Sequence, residues 1–165
     1  MNYHNITKVD MLNGEGIRVV LWVSGCEHNC KNCHNPQTHE HNGGILFDED
    51  ARQELFASLD KDYTTGLTLS GGDPLSKLNR KETLPLAMEI KTMYPDKNIW
   101  CYTGYKWEEI KDVFGIQYID VLVDGKYVEE LNNPSPKWCG SSNQRVIDVQ
   151  KSLKYGKIIL YNIYS

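Results

Sequence analysis

Ten consecutive residues, Cys26-Glu27-His28-Asn29-Cys30-Lys31-Asn32-Cys33-His34-Asn35, hold three of the chain's five cysteines in the spacing C-x3-C-x2-C. Thiolates are soft ligands suited to iron–sulfur clusters and zinc. Three of them on one tight loop can each bind one iron of a cubane cluster, and a fourth iron then lacks a protein ligand. Bacterial ferredoxins space their cysteines by two residues throughout and add a fourth cysteine beside a proline, which this loop does not do. An open iron is a Lewis-acid position, much as catalytic zinc sites keep a vacant place while structural ones fill it. Other chemistries stay open at this level. A Cys3His zinc site using His28 or His34 would make a binding module without catalysis. A redox pair of Cys30 and Cys33 would have no need of Cys26.

Two further segments carry possible chemistry. Ser70-Gly71-Gly72-Asp73-Pro74 places two glycines and a carboxylate after an apolar run. Glycine lets backbone approach a ligand closely, its carbonyl can accept from an ammonium group, and Asp73 adds negative charge beside it. The same string also makes an ordinary turn. Thr103 and Gly104, after Trp100-Cys101-Tyr102, can offer a hydroxyl and bare backbone to a ribose or adenine. Gly140-Ser141-Ser142-Asn143-Gln144-Arg145, beside Trp138, reads equally as a polar loop or as a ligand or partner contact. Cys101 and Cys139 read as small buried hydrophobes. His4, His39 and His41 read as solvated surface residues without a role.

Short apolar runs must position these segments. Residues 17–24 read as a buried strand because β-branched and aromatic residues dominate. Residues 67–70, 98–103 and 118–123 read as three more, each ended by a glycine-containing loop. Asp48 can cap a helix to about residue 60, with Ala51, Leu55 and Leu59 on one face. Thr83 or Asn79 can cap a second, stopped by Pro95, that turns Leu86, Ile90 and Met93 inward. Trp107, Ile110 and Phe114 suggest a short third helix, and residues 145–149 and 157–161 one or two extra strands. Strands alternating with helices imply right-handed crossovers and a mostly parallel sheet, whose carboxyl ends gather the loops of interest on one rim. A closed eight-stranded barrel takes ~250 residues, so 165 residues point to an α/β fold of one domain, residues 1–165, forming an open partial (β/α) barrel.

Composition narrows the class. Apolar residues make up 40% and charged residues 24%, with 18 Lys plus Arg against 22 Asp plus Glu. That balance is globular and gives no support to a phosphate-backbone binder, so no nucleic-acid partner is expected. No apolar stretch approaches the ~20 residues of a membrane span, and the start lacks a signal-peptide layout. The expectation is a cytoplasmic protein with no membrane partner.

The C-x3-C-x2-C loop followed by Gly-Gly-Asp-Pro resembles the radical S-adenosylmethionine enzymes. More narrowly, the chain is similar to the anaerobic ribonucleoside-triphosphate reductase activating proteins. Asn2-Tyr3, Val9-Asp10, Asn13-Gly14-x-Gly16, Val23-Ser24-Gly25-Cys26, Leu69 to Leu75, Trp100-x-Tyr102-Thr103-Gly104-Tyr105, Val123-Asp124-Gly125-Lys126 and Gly140 to Arg145 carry the likeness. The chain departs from that pattern at Glu15, Asn32, His34 and Cys139, where proline, an aromatic, tyrosine and arginine are usual. The resemblance implies a radical S-adenosylmethionine fold and one 4Fe-4S cluster held by Cys26, Cys30 and Cys33, with S-adenosylmethionine on the fourth iron. Gly71, Gly72 and Asp73 would receive its ammonium group, the backbone and ring of Asn32, Cys33 and His34 would contact adenine, and Thr103 and Gly104 would line the nucleoside. One electron from reduced flavodoxin or a similar donor would cleave the sulfonium to methionine and a 5′-deoxyadenosyl radical. That radical would remove hydrogen from a glycine of the large subunit of the anaerobic reductase. No protein acid–base pair is implied, so no catalytic side chain is named. Activation of another glycyl radical enzyme, such as pyruvate formate-lyase, is the neighbouring possibility.

Overall fold

The computed structural model describes residues 1–162. Among them, seven strands form one sheet in the order β3-β1-β2-β4-β5-β6-β7. The strands are β1 (Asn2–Asp10), β2 (Arg18–Val23), β3 (Ile45–Leu46), β4 (Gly66–Gly71), β5 (Asn98–Tyr102), β6 (Val121–Asp124) and β7 (Arg145–Asp148). Four α-helices accompany them: α1 (Glu49–Leu59), α2 (Arg80–Met93), α3 (Trp107–Ile110) and α4 (Val149–Tyr155). Neighbours β2/β4, β4/β5 and β5/β6 run parallel. Pairs β1/β2, β1/β3 and β6/β7 run antiparallel. The sheet is therefore mixed, with a parallel centre and antiparallel flanks, and the expectation of a mostly parallel sheet is corrected.

The parallel centre follows from sequence. Side chains alternate across a strand, and here the two sets go to different neighbours. Val19, Leu21, Val23, Leu67, Leu69, Ile99, Cys101 and Leu122 join Leu55, Leu59, Ala87 and Ile90 of α1 and α2 in one buried cluster. Trp100, Val121 and Val123 belong to a second cluster on the opposite face, with Tyr102, Trp138, Val146 and Tyr161 packed on it. Strands with both faces covered read as continuous apolar runs.

The flank β1 escaped the sequence reading because it is polar and bulged. Its register shifts between Tyr3 and Asn5, so Tyr3 and Ile6 turn inward three residues apart and break the period-2 signal. Residues 157–161 form no strand, only a bridge between Ile147 and Leu160. α3 stops at Ile110, and Phe114 is 83% exposed instead of facing the core. Asp48 caps α1, accepting from the Ala51 N–H at 3.0 Å. Asn79 holds the N-cap position of α2 but makes no side-chain cap bond there, and Thr83 lies inside the helix. The Asn79 side-chain amide donates to the carbonyls of Ser24, Gly25 and Asp73, and the Thr83 hydroxyl donates to Pro74 O. Both therefore pin strand-end loops.

Candidate functional site

Parallel strands place their following loops on one rim, and the loops after β2, β4, β5 and β6 meet there around a cleft of about 440 Å³. Cys26, Cys30, Cys33 and His34 line it, as do Gly71, Gly72, Asp73, Thr103, Gly104 and Gly125. Its floor takes Trp22, Ser70, Tyr102 and Val123 from the sheet face that the helices leave free. Such a volume suits a small-molecule ligand.

The cysteine loop is anchored by its backbone. Gly25 N–H bonds Thr38 O, Cys26 N–H bonds His39 O, and Cys33 N–H bonds Cys30 O. Asn29 and Asn32 sit at positive φ, 49° and 53°, a conformation asparagine tolerates. All five cysteines are free. Burial raises the Cys26 thiol to about 11 and also raises Cys30, so binding a metal there must displace protons. Asn32 is exposed and its amide bonds Glu129. Of the expected adenine-contact trio, Cys33 and His34 thus border the cleft and the Asn32 side chain turns away from it. His34 packs against Tyr127 with ring centroids 4.6 Å apart.

The glycine motif packs against the cysteine loop itself. Gly71 has φ +100°, and a Cβ on Gly72 would stand 2.4 Å from Gly25 O. Gly72 N–H bonds Val23 O, and Asp73 N–H bonds Gly25 O. The Asp73 carboxylate is 1% exposed and engaged within the protein. One oxygen accepts from Leu75 N–H at 2.8 Å and lies 2.9 Å from the Thr103 hydroxyl. The other accepts from Gly104 N–H at 3.0 Å and meets His28 Nε2 at 2.5 Å. The Tyr105 hydroxyl donates to Glu27 at 2.6 Å, and burial plus that bond raise Tyr105 to about 12.

Several lining residues were not anticipated. Cys139 is half-buried and faces the cleft with Trp138, whose φ is 64°, so it is not a plain core thiol; Cys101 is. His39 lines the cleft, His41 packs over Gly25, and the Nε2 atoms of His4 and His39 are buried, so these three histidines are half-buried and not free surface residues. Leu12 and Asn13 reach the mouth from the loop after β1. Within 140–145, Gly140 and Gln144 line the cleft. The Gln144 side chain ties Gly140, Ser141 and Gly125 together, while Arg145 pairs with Asp124 and Glu108.

The donor set fits a cluster. Among the described residues, no three His, Cys, Asp or Glu side chains converge on a point fit for a single ion. A zinc ion bonds each thiolate at about 2.3 Å and needs such convergence. A cubane presents a separate iron to each thiolate, and Cys26, Cys30 and Cys33 all line the one cleft. His28, one candidate fourth zinc ligand, spends its Nε2 on Asp73.

Residues 12–147 match the family model described as a 4Fe-4S single cluster domain, which supports an iron–sulfur cluster here and sets the class. Within that class the likeness is narrow. An anaerobic ribonucleoside-triphosphate reductase-activating protein of Enterobacteria phage T4 is 48% identical over 147 residues, covering 88% of this chain and 93% of its own. Proteins of the same name from Haemophilus influenzae and Escherichia coli K12 are 46% and 42% identical over 149 and 150 residues. They cover 87% and 88% of this chain, and 96% and 97% of their own lengths. The chain belongs to the family of anaerobic ribonucleoside-triphosphate reductase-activating proteins.

Proposed function

We propose that this chain activates an anaerobic ribonucleoside-triphosphate reductase as a radical S-adenosylmethionine enzyme on an open, partial-barrel scaffold. The observation that carries the proposal is the meeting of three free thiols on one loop with bare glycine backbone and the Thr103–Gly104 turn around one cleft. A reduced 4Fe-4S cluster with S-adenosylmethionine supplies one-electron cleavage of the sulfonium and, from it, abstraction of hydrogen from a glycine of the target. Cys26, Cys30 and Cys33 would hold three irons and leave the fourth to the amino and carboxylate groups of the substrate.

The remaining residues bind and orient. Gly71 and Gly72 would present backbone carbonyls to the N–H bonds of that amino group, with Asp73 next to them in the chain. Cys33, His34, Thr103 and Gly104 border the place of the nucleoside. The sheet floor of Trp22, Tyr102 and Val123 limits water around the reacting atoms. The open mouth beside Leu12 and Asn13 admits a glycine loop of the reductase. A soluble one-electron donor such as reduced flavodoxin would supply the electron. No side-chain acid or base is needed. The cytoplasm suits such a cluster, and among the described residues no helix is long and apolar enough to cross a membrane.

The test is anaerobic reconstitution followed by iron, zinc and sulfide analysis. About four irons and four sulfides per chain, together with a glycyl-radical signal in the reductase after adding S-adenosylmethionine and reductant, are expected. One zinc without sulfide would overturn the proposal and favour a binding module. A signal in pyruvate formate-lyase but not in the reductase would redirect it to another target.

A further inference from the structure

A histidine inside the cysteine loop is used by none of the chemistry above, yet it is among the most tightly held side chains of the rim. The His28 side chain is 7% exposed and its Nε2 lies 2.5 Å from the buried Asp73 carboxylate. Its ring meets Tyr105 edge-on at 4.6 Å. The rim also leaves space for it: a methyl built on Gly104 would stand 2.4 Å from His28 Cδ2 and 2.7 Å from Cγ and Nε2. Gly104 is outside the left-handed region, and the three atoms nearest to an added methyl all belong to the His28 ring. Tyr105 bonds Glu27, the neighbour of His28, and Arg80 stands over the same tyrosine ring at 5.4 Å. Asp73, in turn, is bound by the Thr103 hydroxyl and the Gly104 N–H.

We infer that His28 is a positioning residue. Its ring is a plug seated in a socket of Asp73, Gly104 and Tyr105, and it sets the spacing between the thiols that hold the cluster and the turn after β5 that borders the nucleoside. This rests on the proposed function for its consequence, though not for its geometry. Cys26 and Cys30 flank His28 two residues away on either side, so displacing the plug moves both. Asp73 then acts through three contacts, to His28, Thr103 and Gly104, that join the loops after β2, β4 and β5. The histidine ring is close enough by itself to exclude a side chain at residue 104.

The test is a double-mutant cycle of His28→Ala and Gly104→Ala, with His28→Gln as the conservative rescue because its amide N–H can reach Asp73. In the metal-free chain, each alanine variant should speed amide exchange at Cys26 and Cys33 by about tenfold or more, as expected when a buried hydrogen bond to a charged group is lost. His28→Gln should recover most of that protection. The double variant should be no worse than either single one, because both remove the same contact. In the reconstituted protein, S-adenosylmethionine affinity and its perturbation of the reduced-cluster EPR spectrum should fall in the same order, by about 10–100-fold for His28→Ala. Native exchange and native affinity in His28→Ala, or additive effects in the double variant, would overturn the inference. So would a His28→Gln variant no better than His28→Ala, a comparison that decides alone if Gly104→Ala does not fold. If the unsubstituted protein takes up no cluster, the proposed function fails while the exchange data still decide the plug.

Discussion

The two faces of the central strands are built from alternate residues of the same four segments, yet they differ in kind. The helix-covered face, with Val19, Leu21, Leu67, Leu69, Ile99 and Leu122, is apolar and sealed. The other face carries Arg18, Trp22, Thr68, Ser70, Trp100 and Tyr102, some of them buried polar groups and others the floor of the cleft. Arg18 is fully buried and, among the described residues, makes no ion pair with a carboxylate. It donates to the Thr68 hydroxyl, to the Asn98 side chain and to the carbonyls of Glu15, Leu67 and Asn98, and burial lowers it to about 10. A buried charge satisfied only by neutral acceptors is costly, and its return is order in the loop from Asn13 to Glu15. Stability thus comes chiefly from one face, and the other spends part of it on a hollow, polar site.

The largest effect that would sharpen this contrast is at the rim. Cys30→Ser should abolish cluster assembly, read as loss of iron and sulfide on reconstitution, while changing the stability of the metal-free chain by less than about 1 kcal/mol. Leu69→Ala should do the reverse. Truncating a fully buried leucine on the sealed face costs about 2–5 kcal/mol in denaturant unfolding, while the protein that remains folded should load iron as before. Thr68→Val tests the polar face more gently. Its hydroxyl accepts from Arg18 at 2.7 Å and donates to Asn13 O at 2.8 Å, so removing it should cost about 1–3 kcal/mol and loosen exchange in residues 12–16. If Thr68→Val were neutral, the polar face would carry no cost and the contrast would break.

The smallest effect is an alkaline one. Burial, reinforced by a bond to Glu15, raises the Tyr161 phenol on the polar face to about 12; Tyr105 at the rim is raised likewise. The unfolded phenol titrates near 10, so the folded state holds the proton more tightly. Their contribution is therefore complete below pH 10 and is lost as pH rises through 12. Melting temperature should fall across that window, and Tyr161→Phe should make the fall shallower. An unchanged slope in the variant would remove the tyrosine from the account.

Much of this was legible in the chain. The strands at the centre announced themselves by continuous β-branched and aromatic runs, and the Asp48 cap by its position before a 3.6-residue period. Three cysteines in ten residues mark a metal loop because no packing need explains them. Less legible was anything resting on contact between distant residues. Asn79 resembled a helix cap, yet its amide is drawn to three carbonyls across the rim. The strand β1 was hidden because its bulge destroys alternation. Asp73 looked like a free ligand group, and only the fold shows that His28, Thr103 and two backbone amides already occupy its oxygens.

By itself, then, the sequence determined the element types at the centre of the sheet, the cysteine loop and the family, because each is written in local spacing and residue chemistry. Tertiary structure alone decided the direction of the flanking strands, the side of the sheet on which the cleft opens, and the partners of His28, Asp73 and Gly104. Those are separated by 31 to 76 positions in the chain, and no local pattern encodes which distant side chain will meet a given carboxylate once the sheet has closed the distance.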